Sequence, residues 1–168
     1  MPSGWSELVL PLCSNPAMHM VVCGALVENG AVLLVHRSPT RRAYPDLWDL
    51  PGGHVETGES EPQALAREMH EELGVHIVAE SSSRLGDLHA GSGQDAVHVS
   101  VWQISDWVGS PTNHAPEEHD DIAWVRISEL GGLPLVFDTL PALLPSLPEP
   151  DRLPRRDEAR TTTSPSGP

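Results

Sequence analysis

Residues 50–75, LPGGHVETGESEPQALAREMHEELGV, join a glycine-rich turn to an amphipathic helical pattern. Ser60 suits the N-cap position, and Gln63 three residues later completes a capping-box arrangement. One apolar stripe repeats every four residues: Leu65, Met69 and Leu73. Gly74 favours the end of the helix at that point. Such a helix must bury its stripe, and candidate strands on both sides of it predict an α/β fold in which a mixed sheet lies between helical layers.

The same helix carries a cluster of acids: Glu68, Glu71 and Glu72. Their spacing of three and four residues places the carboxylates close together on one face. Each like-charged pair costs about 0.2–0.5 kcal/mol in an isolated helix, so a positive partner is expected. Arg67 neutralises part of this charge, and a divalent ion such as Mg²⁺ neutralises more, because it prefers carboxylate and carbonyl oxygens. A solvated acidic helix supported by the Arg67–Glu71 pair is the alternative interpretation.

The turn and the helix together follow a fixed spacing. In sequence letters the pattern is G-x5-E-x7-REM-x-EE-x-GV, and it runs from Gly53 to Val75. It resembles the Nudix box, the signature of the Nudix hydrolase family, and every fixed position is filled. The resemblance implies a Nudix-type α/β/α sandwich with a mixed β-sheet over about residues 18–147. It also implies hydrolysis of a nucleoside diphosphate linked to another group, with Mg²⁺ as the cofactor and Mn²⁺ as its alternative.

Matching the box position by position implies roles for its residues. Glu68 and Glu72 would be metal ligands, joined by the backbone carbonyl of Gly52. Glu71 would be a further ligand or the general base, and family members differ on which glutamate deprotonates the water. Arg67 would support catalysis by orienting the carboxylates through a salt bridge rather than by touching the substrate.

The segment 106–121 is polar and rich in acids. Some Nudix enzymes add an acid from the loop before a late strand, and the resemblance makes Glu118 the first choice for a distal metal ligand or alternative base. Asp121 stands just before the strand, where acids contact the purine edge in some nucleotide-cleaning members. A solvated acidic loop is the alternative for both residues.

Two further residues are assigned to substrate binding: Arg37 and Trp102. Arg37 opens a loop with three arginines, which predicts a positive mouth that meets substrate phosphate, or else a solvated loop. A base needs an aromatic or arginine platform, and the candidates are tryptophans: Trp48, Trp102, Trp107 and Trp124. Trp102 shares a strand face with His98, and a structural pair is the alternative for these two residues.

The formal charge of −14 argues against a nucleic-acid polymer as partner, because phosphate backbones need a basic surface. A small anionic nucleotide remains compatible with this charge if metal ions make the contact. The two cysteines are too few for a disulfide framework. No apolar run approaches the roughly 20 residues of a membrane span. These features predict a cytoplasmic protein without a membrane partner.

Hydrophobic periodicity predicts strands on both sides of the helix, at residues 18–27, 31–37, 48–50, 75–80, 84–90, 96–104 and 122–127. Asn29-Gly30 predicts a hairpin turn between the first two. A short turn or helix is expected from residue 128, and a weak, proline-interrupted helix at 137–147. The domain organisation predicted is a flexible lead-in at 1–17, one Nudix domain at 18–147 and a disordered Pro-rich tail at 148–168.

The leading hypothesis for function is a MutT-like nucleotide pyrophosphohydrolase. It would cleave a nucleoside triphosphate, with oxidised purines such as 8-oxo-dGTP among the candidates, to monophosphate and pyrophosphate. An ADP-ribose or nucleotide-sugar pyrophosphatase is the nearest alternative, but the proline that often follows the box in such members is replaced here by Ala90-Gly91. A non-catalytic nucleotide-binding regulator is the other alternative, and such domains usually lose box glutamates. Homodimers are common in the family.

Overall fold

The structure, a computed structural model, describes residues 19–78, 81–92 and 96–144. The strands are β1 (His19–Glu28), β2 (Ala31–Arg37), β3 (Trp48–Asp49), β4 (Gly52–His54), β5 (His76–Ile77), β6 (Ser82–Ala90), β7 (Val97–Ile104), β8 (Trp107–Val108) and β9 (His119–Arg126). The helices are α1 (Glu61–Leu73), a 3₁₀ helix (Ile127–Gly132) and α2 (Leu140–Leu143). The predicted lead-in and tail lie outside the described residues.

Helix α1 has the bounds that its local signals predict. Gln63 Oε1 accepts a hydrogen bond from the Ser60 backbone N–H at 2.9 Å, which satisfies one donor at the helix start. Gly74 ends the helix with a φ of 69°, a left-handed conformation that glycine adopts without steric cost. The predicted stripe of Leu65, Met69 and Leu73 is fully buried. The helix is therefore held in place by both its ends and its apolar face.

The main sheet is mixed. Its centre is the parallel pair of β1 and β7, in register from His19 with Val97 to Leu26 with Ile104. Strand β6 extends the sheet antiparallel to β7, while β4 runs antiparallel along the first half of β1. Strand β2 is antiparallel to β1, β3 and β9. This arrangement brings the short strand β4, and the turn before it, to the middle of the sheet.

Apolar layers cover both faces of this sheet. Val22 and Leu26 of β1 face α1, whereas Cys23, Ala25 and Val27 face the 3₁₀ helix and α2. Each residue from Val22 to Val27 except Gly24 belongs to one of these two cores, and this explains the continuous apolar run that predicted a buried strand. The predicted α/β/α sandwich is confirmed. None of the described helices has the length and apolar character needed to cross a membrane.

Three predicted elements differ in the structure. Within the described residues 75–78, the strand expected at 75–80 comprises His76–Ile77. Its partner Trp107–Val108 lies inside the segment predicted as a polar loop. The Trp107 ring packs against the core beneath α1, so burial of one large side chain outweighs the polar composition around it. Strand β9 begins at His119, three residues earlier than predicted. The weak helix expected at 137–147 is a single turn within the described residues.

Candidate active site

The turn before β4 lies directly against the acidic side of α1. Gly52 N–H donates a hydrogen bond to Glu72 Oε2 at 2.9 Å. A Cβ atom on Gly53 would stand 2.3 Å from Glu68 Oε1, and one on Gly52 would stand 2.0 Å from the Val22 carbonyl oxygen. Gly53 therefore leaves room for the Glu68 carboxylate, whereas Gly52 lets the turn lie against the backbone of β1.

Arg67 is the hub of the ionic contacts on α1. Its Nε and Nη2 donate to the two oxygens of Glu59 at 3.0 and 2.9 Å. Its Nη1 donates to Glu68 at 2.7 Å and to Glu71 at 3.2 Å, and Nη2 also donates to the His54 carbonyl at 3.0 Å. The salt bridge expected from the sequence is present, and these contacts engage all three guanidinium nitrogens. The arginine is thus placed to hold carboxylates rather than a ligand.

Burial and mutual repulsion raise the pKa of two box glutamates. Desolvation raises the pKa of Glu68, and the nearby Glu71 and Glu118 add to it against the opposing Arg67. Desolvation also raises the pKa of Glu72, which is 4% exposed, with Glu68 and Glu118 adding to the effect and the Gly52 N–H opposing it. The site therefore concentrates negative charge that a cation would stabilise.

Glu118 lies in the segment before β9, near enough for its charge to act on the cluster. Its carboxylate pairs with Arg41, and its charge raises the pKa of both Glu68 and Glu72. Within residues 19–78, 81–92 and 96–144, no three side chains of metal-binding type are yet close enough together to hold an ion. Glu68, Glu72 and Glu118 instead bind Arg67, the Gly52 amide and Arg41. Their oxygen chemistry and excess charge fit Mg²⁺ or Mn²⁺, because such hard ions take carboxylate and carbonyl oxygens.

His119 belongs to this site although sequence reasoning missed it. The side chain is buried at 3% exposure, and its Nε2 lies 3.8 Å from Glu72 Oε1. Desolvation lowers the pKa of His119 to about 4, so the ring is neutral at pH 7. In the part of the chain that the structure describes, its Nδ1 is buried without a hydrogen-bond partner. An unsatisfied polar atom beside buried carboxylates marks a place that water or a ligand would complete. The sequence carried no signal for it, because the strand was predicted to begin only at residue 122, whereas β9 begins at His119.

A cavity of about 200 Å³ opens beside the glycine turn. Its polar and aromatic lining residues include Arg37, Arg41, Tyr44, Asp49, His54 and Phe137. Valines of β1 and β7 form an apolar part of the wall. Such a mixture of apolar surface with a few polar groups is typical of small-molecule sites.

The cavity contains one of the three residues predicted to bind substrate. Arg37 lines it. Asp121 is exposed on β9 opposite His36, and its Oδ1 accepts from the Ile122 N–H at 2.8 Å. Trp102 packs against the core beneath α1, and its Nε1 donates to Glu61 at 3.2 Å. The strands that carry these two residues thus direct them away from the cavity wall.

Asp49 is a buried acid in this wall that the sequence did not single out. It is 9% exposed, and desolvation raises its pKa to about 7. The guanidinium of Arg37, at 3.6 Å, and the Leu50 N–H oppose this shift. Burial outweighs both because the charged carboxylate loses its water while its cationic neighbour stays beyond hydrogen-bond distance.

Asp49→Asn is expected to flatten the pH dependence of unfolding. The folded-state pKa of about 7 lies above the ordinary value of 3.8, so the folded protein binds the extra proton and loses stability as pH rises between these values. The wild-type protein should therefore lose roughly 2 kcal/mol more than the variant between pH 5 and pH 8. Urea unfolding at both pH values measures this, with the exposed Asp106→Asn as control. If the wild-type protein and Asp49→Asn lose the same free energy of unfolding between pH 5 and pH 8, the pKa of Asp49 is not raised.

Comparison with known proteins agrees with this geometry. The sequence matches the family model of the NUDIX domain over residues 18–146. It is 29% identical over 126 residues to the CTP pyrophosphohydrolase of Escherichia coli strain K12, covering 73% of this chain and 87% of that protein. It is 32% identical over 123 residues to the nucleoside triphosphatase NudI of Enterobacter sp. strain 638, and the match covers 68% of this chain and 86% of that protein. A MutT NUDIX hydrolase structure from Burkholderia pseudomallei superposes with a TM-score of 0.66 at 27% identity, covering 74% and 95%.

The family match spans the whole sandwich and includes the glycine turn, α1 and the segment that carries Glu118. The glutamates of the box are all present and gathered beside a cavity. This chain therefore belongs to the Nudix family and is a MutT-like hydrolase that acts on phosphoanhydride bonds.

Proposed function

We propose that this protein hydrolyses a nucleoside triphosphate to the monophosphate and pyrophosphate, with Mg²⁺ as cofactor. The main observation in support is that Glu68 and Glu72 lie against the Gly52-Gly53 turn. This turn lines a cavity that combines arginines, a buried acid and apolar surface. Relatives named as a CTP pyrophosphohydrolase and a nucleoside triphosphatase support a triphosphate as substrate.

In this proposal Glu68, Glu72 and the Gly52 carbonyl hold the divalent ion, and Glu71 or Glu118 adds a further ligand. A bound ion of this kind neutralises charge on phosphoryl oxygens and lowers the pKa of a bound water. The chain's own contribution is positional. Arg67 holds Glu59, Glu68 and Glu71 through one guanidinium. A bound ion would replace contacts that Glu68 and Glu72 make with Arg67 and with the Gly52 amide.

The proton of the attacking water needs an acceptor near the turn. Glu71 is the more exposed of the box glutamates, with 57% of its side chain accessible, and it shares the Arg67 guanidinium with Glu68. Glu118 is 40% accessible and pairs with Arg41, a residue that lines the cavity. Both acids lie at the solvent-facing side of the cluster, and either can return its proton to water after each turnover.

The cavity supplies the contacts for the rest of the substrate. Arg41 places a positive charge in the wall between the acidic cluster and the cavity, where substrate phosphate would pass. Asp49 adds a carboxyl group to the same wall. A carboxylate can accept a hydrogen bond from the exocyclic amine of a base such as cytosine. Adenine and guanine carry such amines too, so the name of the CTP pyrophosphohydrolase relative is what makes a cytosine nucleotide a leading candidate, alongside the oxidised purines expected from the sequence.

A substrate panel tests the proposal. Purified protein would be incubated with CTP, dCTP, UTP, ATP, GTP, 8-oxo-dGTP and ADP-ribose, with Mg²⁺ or with EDTA, and the products separated by ion exchange. We expect at least one triphosphate to give monophosphate and pyrophosphate, and EDTA to lower the rate to background. Preferential cleavage of ADP-ribose, or orthophosphate as the first product from every triphosphate, would contradict the proposal.

A further inference from the structure

The guanidinium of Arg37 binds backbone carbonyls of the loop 38–46, which follows it in the chain. Its Nε donates to the carbonyls of Ala43 and Tyr44 at 3.2 and 3.1 Å, and its Nη2 donates to Ala43 at 2.9 Å. Its Nη1 lies 3.6 Å from Asp49, and only 14% of the side chain is exposed. Nε and Nη2 are thus engaged by the loop, and Nη1 lies beside the Asp49 carboxylate, so substrate phosphate would have to compete with these partners for the guanidinium.

The loop that Arg37 holds is strained. Tyr44 and Asp46 adopt φ values of 52° and 57°, in the left-handed region that residues with side chains rarely occupy. Such conformations persist where the surroundings impose them, and they concentrate at ligand sites. The Arg37 backbone adds two bonds to the loop, since its N–H donates to Leu47 at 2.9 Å and its carbonyl accepts from Asp46 at 3.1 Å. One residue therefore fixes both arms of the loop.

The strained loop displays an aromatic side chain at the cavity. Tyr44 lines the cavity and is 42% exposed, and it is the chain's single tyrosine. Phe137, the single phenylalanine, lines the same cavity. The tryptophans expected to serve as a platform are not part of this lining among the described residues. Aromatic rings attract nucleobases because every base offers a π face for stacking.

We propose that Tyr44 is a specificity-determining residue whose ring contacts the base of the substrate, and that Arg37 is the positioning residue that holds Tyr44 there. This inference rests on the proposed triphosphatase function and names the part of the cavity that recognises the nucleoside. It moves Arg37 from the phosphate-binding role expected from the sequence to a role carried through the loop 38–46.

The test separates base contact from phosphate contact. KM would be measured for the best nucleoside triphosphate of the panel, and the inhibition constant would be measured for inorganic tripolyphosphate, which has no base. Tyr44→Ala should raise KM about tenfold, because stacking on one base is worth that much or more. Tyr44→Phe should stay within about twofold of the wild-type protein. Neither variant should change the inhibition constant of tripolyphosphate.

Arg37→Lys keeps the positive charge but loses the rigid planar fork whose Nε and Nη2 donate to the carbonyls of Ala43 and Tyr44. It should raise KM for the nucleotide as Tyr44→Ala does and leave tripolyphosphate inhibition unchanged. Arg126→Ala, on an exposed arginine outside this loop, is the control and should change neither quantity.

Two results would overturn this inference while leaving the proposed function intact. One is an unchanged KM in Tyr44→Ala. The other is a loss of tripolyphosphate inhibition in Arg37→Lys, which would mean that Arg37 binds phosphate directly. If the wild-type protein cleaves no nucleoside triphosphate at all, the proposed function itself fails. If Arg37→Lys does not fold, the comparison of Tyr44→Ala with Tyr44→Phe still tests whether the Tyr44 ring contacts the base.

Discussion

Glu72→Gln is expected to lower kcat by about a hundredfold or more, roughly 3 kcal/mol of transition-state stabilisation, while the protein stays folded. Glu72 is 4% exposed and its Oε2 accepts the Gly52 N–H, a bond that the amide oxygen of glutamine can also accept. The substitution therefore keeps the shape and the hydrogen bond but removes the charge. If the proposed function is right, the variant loses affinity for the divalent cation.

Three measurements check this prediction. Steady-state kinetics with the best triphosphate give kcat, circular dichroism gives the melting temperature, and titration with Mn²⁺ monitored by electron paramagnetic resonance gives metal affinity. Glu129→Gln removes the same charge from an exposed position on the 3₁₀ helix and should behave as wild type. A Glu72→Gln variant that turns over within threefold of the wild-type rate would refute the assignment of this glutamate.

Gly52→Ala is expected to destabilise the protein by about 3 kcal/mol or more. The added Cβ would lie 2.0 Å from the Val22 carbonyl oxygen and 2.8 Å from the Cys23 Cα, and both are backbone atoms of the central strand. The glycine also has a φ of 153°, which adds to the cost for a residue with a side chain. Because β1 pairs on both sides, it has little freedom to move away. Urea unfolding of the variant measures the loss.

Gly53→Ala is the contrasting variant, because its new Cβ would meet a side chain instead of the backbone. Its Cβ would meet Glu68 Oε1 at 2.3 Å, and this carboxylate ends a flexible side chain. We expect a smaller loss of stability than for Gly52→Ala and a severe loss of activity, since Glu68 must leave the turn. Gly131→Ala has no atom within 4 Å of the new Cβ and should change neither quantity. Equal destabilisation by the Gly52 and Gly53 substitutions would contradict this distinction.

Local signals predicted α1 and the first hairpin correctly because the forces involved are local. The Ser60 cap, the four-residue stripe and Gly74 act within a few residues, and Asn29-Gly30 turns the chain by itself, with Asn29 at a φ of 53°. The spacing along one helix also predicted the salt bridges of Arg67 with Glu68 and Glu71, whereas the metal-binding role of these acids stays a prediction. These parts of the site depend on short stretches of sequence.

The cavity could not be predicted in the same way because distant segments build it. Tyr44 and Phe137 line the same cavity only after β1, β7 and the segment before α2 have assembled. The tryptophans were the obvious aromatic candidates by size, yet Trp102 and Trp107 pack against the core beneath α1. His119 looked like one more polar residue in an acidic run until β9 turned it inward beside Glu72.

The parallel pairing of β1 with β7 has a consequence for biosynthesis. His19 can pair only once Val97 has been synthesised, and Leu26 only once Ile104 has been. The middle of the sheet therefore joins residues almost eighty positions apart. Contacts of such long range form slowly, because a large loop must close before any of them is gained. A nascent chain that ends before residue 97 exposes the apolar edge of β1 on the ribosome. Chaperone demand during translation should therefore peak before β7 emerges and fall once it has docked.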